Sequence, residues 1–283
     1  MATFYNQAAF SYNGNTINSN ITTGEIVQSL TADKTSLLPT YSPNGVVTYV
    51  ISITNDSNSA FTDLTVTDDL GAYETAEGQT VYPLDIMTES VKYFINGEEQ
   101  PAPTVTAEQP LTLDGIDIPA EGNALIVYQA RANSFASPAA DGSITNTAVI
   151  SGAALTEDMT VSATVTAVQQ PVISMVKTLS PTTVSENSQV TYSFTVYNYG
   201  NTEVAATDNA VITDTFTPAL RDITVTMNGQ TKTTGYSYDE VSGLLTTSEG
   251  AVTVPAATIS QDPVTGEYAV VPGTVVITVT GTI

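Results

Sequence analysis

The stretch VVTYVISITN, residues 46–55, alternates apolar and polar side chains, and VTYSFTVYN, residues 190–198, does so in nearly the same letters. Period-two alternation puts one set of side chains on one face of an extended chain, so each stretch reads as a half-buried β-strand. The texture continues outward. FTDLTVTDD (61–69) and ALIVYQARA (124–132) are further alternating runs, and Gly, Pro, Asn and Asp punctuate the chain between them. Short β-branched and aromatic strands at this spacing, with no sustained helical period, predict an all-β chain of immunoglobulin-like sandwich type.

The two opening stretches belong to a repeat. The interval from Lys34 to Tyr49 equals that from Lys177 to Tyr192, and the interval from Lys34 to Asn55 equals that from Lys177 to Asn198. LTVTDDL, ending at Leu70, and NAVITDTF, ending at Phe216, follow in corresponding places. Asn-Gly pairs then recur at Asn96-Gly97 and Asn228-Gly229, each a tight-hairpin signal. The expected organisation is an N-terminal arm over 1–29, a first sandwich over 30–170 and a second over 171–283.

The copies differ at their ends. The first continues through SITNTAVISG (143–152) and TVSATVTAV (160–168), whereas the second reaches its matching strand, TVVITVTGTI (274–283), and supplies no such pair after it. A similar pair stands at the other end of the sequence. FYNQAAFSYNG (4–14) matches ITNTAVISG, with Asn6 on Asn146 and Ala8 on Ala148, and TTGEIVQSL (22–30) takes the place of TVSATVTAV. A sandwich short of an edge exposes unpaired backbone groups that a matching strand can fill. Phe4, Asn6, Ala8, Phe10 and Tyr12 share one face of the arm, which is expected to donate that strand to the second sandwich of another copy. Such a contact is heterologous and propagates as a head-to-tail homopolymer. The alternative is an arm that extends the first sandwich's own sheet.

Alternation also places ionisable groups on inward faces. Lys34 falls with Leu30 and Ala32, Lys177 with Ile173, Met175 and Leu179, Asp68 with Leu64, Val66 and Leu70, and Asp214 with Ala210, Ile212 and Phe216. Burial drives a lysine toward its neutral amine and an aspartate toward its neutral acid. A neutral amine can attack an adjacent asparagine carboxamide, with the acid moving protons and ammonia leaving. The first copy carries Lys34, Asp68 and Asn146 for an internal Lys–Asn bond. The second carries Lys177 and Asp214, and the matching asparagine is Asn6 of another copy, so that bond would be intermolecular. A buried Lys–Asp ion pair with the asparagine hydrogen-bonded nearby is the other reading of the same residues.

Composition narrows the function classes. The 283 residues hold 41 % hydrophobic side chains, enough for folded cores, and 6 Lys and Arg against 29 Asp and Glu, a formal net charge of -23. That surface repels phosphate and anionic lipid, so nucleic-acid and membrane partners are not expected. Cysteine, histidine and tryptophan are absent. This removes disulfides, thiolate nucleophiles, Ser-His-Asp triads and His-bearing metal sites. The expectation is therefore no enzyme, no cofactor and no metal, with Asp68 and Asp214 acting as proton shuttles in self-crosslinking only. Acidic loops such as Asp68-Asp69 match no defined calcium loop. The N-terminal sequence shows no signal peptide.

The order Lys, VTYxIxxxN, VTD and a terminal NTA strand resembles the conserved bacterial surface repeat catalogued as domain of unknown function eleven. Here it reads VVTYVISITN, LTVTDDL and TNTAVISG, then VTYSFTVYN, VITDTF and, displaced, YNQAAFSYNG, over nearly the whole chain. The resemblance implies a cell-wall, surface-layer or adhesin-like protein of Gram-positive bacteria. The compact two-repeat form is similar to clostridial spore appendage proteins, which implies the outer surface of a bacterium or spore. Pilin and adhesin modules of similar kind carry Lys–Asn isopeptides with an acidic helper. An adhesin-type module recognising glycan or host protein is the alternative function.

Overall fold

The computed structural model describes residues 2–26 and 30–283. Apart from one 3₁₀ turn at Ala206–Asp208, every element among them is a β-strand. The chain divides into two compact units, Met1–Ala136 with Ser143–Thr166 and Ser137–Gly142 with Ala167–Ile283.

The arm is a two-stranded ribbon made of β1 (Ala2–Asn6), β2 (Ala9–Tyr12), β3 (Asn15–Asn18) and β4 (Thr22–Ile26). β1 pairs antiparallel with β4, setting Asn6 opposite Thr22, and β2 pairs with β3, setting Tyr12 opposite Asn15. Asn13 and Gly14 close the hairpin with φ of 46° and 80°. A two-residue hairpin turn of this kind needs both central residues left-handed, which Asn-Gly accepts readily. Phe4 lies over Gly24, where a Cβ would come within 2.3 Å of its ring. Side chains 4–23 are all exposed, Phe10 at 66 %.

The first unit continues with β5 (Leu30–Ser36), β6 (Thr40–Tyr41), β7 (Val46–Asn55), β8 (Phe61–Asp68), β9 (Tyr73–Glu74), β10 (Thr80–Val81), β11 (Leu84–Ile95), β12 (Glu98–Gln100), β13 (Thr104–Glu108), β14 (Leu111–Ile118), β15 (Gly122–Ala132), β16 (Ser143–Ser151) and β17 (Met159–Ala167). One sheet has the order β12-β11-β15-β7-β5 and the other β13-β14-β8-β16-β17-β6. Alternate residues of each strand are buried: Tyr49, Ile51 and Ile53 from β7, Ile126 and Tyr128 from β15, Leu64 and Val66 from β8, and Ala148 and Ile150 from β16. These form the apolar layer between two sheets of a sandwich. No arm strand joins either sheet among the described residues, so the arm does not extend the first sandwich.

The second unit comprises β18 (Ile173–Ser180), β19 (Gln189–Asn198), β20 (Thr213–Thr215), β21 (Arg221–Met227), β22 (Gln230–Lys232), β23 (Tyr236–Asp239), β24 (Leu244–Thr247), β25 (Thr258–Gln261), β26 (Tyr268–Val271) and β27 (Gly273–Thr282). Its sheets run β22-β21-β27-β19-β18 and β23-β24-β20 around a core that includes Phe194, Leu220, Val225, Leu245 and Val279. The first sheet repeats β12-β11-β15-β7-β5 strand for strand. The second repeats β13-β14-β8, and among the described residues no counterparts of β16, β17 and β6 follow. A separate ribbon, β25 with β26, occupies the β24–β27 connection. Asn96-Gly97 and Asn228-Gly229 are two-residue hairpin turns with positive φ throughout.

The repeated asparagines brace loops. Asn55 Nδ2 donates to the carbonyls of Ser59 and Pro119 at 2.8 Å each, and Asn198 Nδ2 donates to those of Thr202 and Pro255 at 2.7 and 3.0 Å. Both side chains are buried, and these bonds satisfy amide N–H groups that would otherwise lose water without replacement.

Candidate functional site

In the first unit three strands converge on one buried polar cluster. β5 brings Lys34, β8 ends on Asp68, and β16 brings Asn146, all inward-facing and buried. Lys34 Nζ donates to Asp68 Oδ2 at 2.7 Å. Tyr128, on β15, donates its hydroxyl to the same Asp68 Oδ2 and accepts from Asn146 Nδ2 at 3.1 Å. Asp68 Oδ1 takes the Leu70 N–H at 3.0 Å. Neighbouring Asp69 accepts the backbone N–H of Thr147 at 2.8 Å and so pins β16 beside the site. Tyr49 stacks on Tyr128 with ring centroids 5.6 Å apart. Its hydroxyl sits by the Asn146 amide without a hydrogen bond of good geometry, and Asn146 Oδ1 has no partner among the described residues.

Burial sets the electrostatics here. Desolvation lowers the Lys34 amine below its usual value, against the Asp68 carboxylate, which pulls it upward. Burial, reinforced by Asp68, pushes the Tyr128 phenol well above its ordinary value, and burial raises Tyr49 in the same direction. The cluster thus holds an amine inclined to shed its proton, a carboxyl hydrogen-bonded to it, a phenol that keeps its own proton, and a carboxamide whose oxygen has no partner among the described residues.

The second unit repeats half of this arrangement. Lys177 Nζ on β18 lies 2.5 Å from Asp214 Oδ2 on β20. Its ammonium sits 4.8 Å from the Tyr192 ring centroid and 5.4 Å from those of Phe194 and Phe216. The sequence pattern places Lys177 on an inward face, yet its side chain is 39 % exposed and that of Asp214 18 %, whereas Lys34 and Asp68 are sealed at 0 %. Ile173 and Met175 on the same face are exposed too. The physical reason is the short second sheet: β20 is hydrogen-bonded to β24 on one side, and among the described residues no strand pairs with its other edge.

Asn6 lies on the exposed arm, paired with Thr22 of its own hairpin. Phe4, Phe10 and Tyr12 are exposed, and the Phe10 and Tyr12 rings lie 5.9 Å apart. Within this chain the structure brings Lys34, Asp68 and Asn146 together and pairs Lys177 with Asp214. Asn6 belongs to the first unit and Lys177 to the second.

Tyr128 is the residue that sequence reasoning missed. Its signal was a phenol on the inward face of ALIVYQARA, between Ile126 and Ala130, where a buried hydroxyl needs a polar partner. Comparing the repeats hid it, because the register that sets Tyr128 opposite Tyr49 sets Val279 opposite Tyr192.

No protein-family model matches the chain, so its resemblance to the surface repeat stands on the motifs alone, and no curated protein matches it. Among solved structures it is similar to BcpA, the major pilin subunit of Bacillus cereus, at 14 % identity and TM-score 0.36, covering 98 % of this chain and 74 % of that one. It is also similar to the collagen-binding domain of a Staphylococcus aureus adhesin, at 15 % identity and TM-score 0.29, over 50 % of this chain and 99 % of that domain. A family 123 glycoside hydrolase from Clostridium perfringens matches at 10 % identity and TM-score 0.30, over 49 % of this chain, which spans only 27 % of that enzyme. Likenesses this loose decide nothing about function, which has to be argued from the sites.

Proposed function

We propose that the chain is a structural subunit of an extracellular bacterial filament or surface appendage, polymerising head to tail as the arm hairpin of one copy completes the second sandwich of the next. One observation carries the reading. The second unit repeats the first unit's β12-β11-β15-β7-β5 sheet and its β13-β14-β8 strands but, among the described residues, has no counterpart of the β16–β17 pair, and the arm is an exposed two-stranded ribbon in which residues 3–11 align with β16, Asn6 on Asn146 and Ala8 on Ala148.

In the first unit β16 runs antiparallel to β8 with Ala148 opposite Asp68 and Ile150 opposite Val66. Laid on the second unit in that register, Ala8 meets Asp214, Phe10 meets Ile212, and Asn6 takes the place of Asn146 beside Lys177. Insertion pairs the open edge of β20 and covers Met175 and Lys177, removing exposed apolar surface and unpaired backbone groups together. Lys177, Asp214 and the incoming Asn6 then form the cluster that Lys34, Asp68 and Asn146 form internally. Attack of each lysine on its asparagine joins Nζ to Cγ, breaks the Cγ–Nδ2 bond and releases ammonia. One bond locks the first sandwich and the other joins neighbours covalently. This gives a cysteine-free chain mechanical strength that needs no disulfide.

Electron microscopy and boiled denaturing gels test this. The intact chain is expected to give filaments and a ladder of covalent oligomers. Deleting residues 1–14 should abolish both, and Asn6→Ala should abolish the ladder alone. Monomers at high concentration from an intact arm would overturn the reading.

A further inference from the structure

We infer that Tyr128 is the acid of the internal crosslink, carrying a proton from Asp68 to the leaving nitrogen of Asn146. The inference rests on the crosslink proposed above and assigns a role to a residue absent from the Lys/Asp/Asn set.

The argument is geometric. Forming an amide from an amine and a carboxamide removes a proton from the attacking nitrogen and requires one on the nitrogen that departs. In the first unit the two nitrogens are hydrogen-bonded to adjacent members of one chain of atoms. Lys34 Nζ lies on Asp68 Oδ2 at 2.7 Å, the Tyr128 hydroxyl is bonded to that same oxygen, and Asn146 Nδ2 lies on the Tyr128 oxygen at 3.1 Å. Starting from the neutral Lys34 amine and the Asp68 carboxylate, Nζ gives one proton to Asp68 as it bonds to Asn146 Cγ. Tyr128 gives its hydroxyl proton to Nδ2 as the Cγ–Nδ2 bond breaks, and Asp68 returns a proton to the phenolate. The sum is one new amide, one ammonia and no net change in Asp68 or Tyr128. No oxidant, metal or water is required.

The surroundings suit the task. Tyr128 is buried beneath Tyr49, so bulk water does not compete for the hydroxyl. Burial and the neighbouring carboxylate keep the phenol protonated far above neutral pH, so a proton is on hand when the leaving group needs it. The second unit has Val279 in the register of Tyr128, so Asp214 must serve both nitrogens there. The internal bond is accordingly expected to form faster than the intersubunit one.

The test is the rate of ammonia loss, read as intact mass after dilution of full-length chain from denaturant, with folding followed separately by circular dichroism. Tyr128→Phe is expected to fold yet lose ammonia about 10²-fold more slowly, the typical worth of a positioned general acid. Tyr49→Phe, which removes the stacked hydroxyl from outside the relay, should slow it by much less. Should Tyr128→Phe fail to fold, fluorotyrosine at position 128 keeps shape and hydrogen bonds while making the phenol more acidic, and a shift in the rate's pH profile is expected. An unchanged rate in Tyr128→Phe, equal slowing by both Phe variants, or an unshifted fluorotyrosine profile would overturn the relay. If the wild-type chain loses no ammonia, the crosslink itself fails, which is a separable result.

Discussion

Phe10→Ala separates folding of the subunit from assembly of the filament. Phe10 is 66 % exposed on the free ribbon, so its truncation should leave the subunit's own stability within about 0.5 kcal/mol. In the inserted register Phe10 takes the place of Ile150, which is 0 % exposed in the first unit, and faces Ile212 of the neighbour. Truncating a buried phenylalanine costs about 3 kcal/mol at the low end of the core range. At about 1.4 kcal/mol per decade this weakens each subunit contact about 10²-fold. Asn6→Ala should be the background, so that no covalent bond makes assembly irreversible. Sedimentation across a concentration series then gives the critical concentration of Asn6→Ala and of Asn6→Ala/Phe10→Ala, and thermal melts of dilute protein report the subunit. The expected result is a critical concentration about 10²-fold higher with an unchanged melt. Equal critical concentrations, or a melt lowered in step with assembly, would refute the placement of Phe10 in a neighbour's core.

Two further predictions concern the lysine sites and are measured with Asn146→Ala and Asn6→Ala, so that no bond forms. Asp68→Ala strands a sealed lysine and should destabilise the first unit by about 3–5 kcal/mol. Asp214→Ala breaks a pair open to water and should cost at most about 1 kcal/mol, a difference that denaturation with peptide-resolved hydrogen exchange resolves. Burial also sets Lys34 below its unfolded value of 10.5, so on unfolding the chain takes up a proton and stability rises with pH toward that value. Tyr49 and Tyr128 oppose this above their unfolded value of 10.0, because the unfolded chain then gives up protons that the folded chain keeps. Denaturation midpoints of the first unit should therefore climb through the alkaline range and turn down near pH 10, and adding Lys34→Met should remove the climb while leaving the downturn.

Much of this was legible in the letters. Period-two alternation marked β7, β8, β15, β16, β19 and β27, because a strand with one buried face must alternate. Equal spacing after Lys34 and Lys177 marked the two copies. The same alternation put Asp68 and Asn146 inside, where they lie. Three features were not legible. The free hairpin form of the arm depends on backbone pairing of β1 with β4 and β2 with β3, although Asn13-Gly14 was a turn signal in plain view. The exposure of Lys177 follows from the edge of β20, with which no strand pairs among the described residues, and alternation reports which face a residue shares without reporting whether anything covers it. The role of Tyr128 depends on distances between three strands far apart in sequence.

Sequence alone determined the strand faces, the repeat, the exclusion of thiol and imidazole chemistry, and the match of Asn6 with Asn146, since each follows from side-chain identity and spacing along one chain. Only the tertiary structure decided that one lysine is sealed against a phenol-bridged asparagine while its twin stands half open beside an unpaired edge. That outcome is set by which strands lie next to one another, and hydrogen-bonded neighbours in a sheet are chosen across the whole fold.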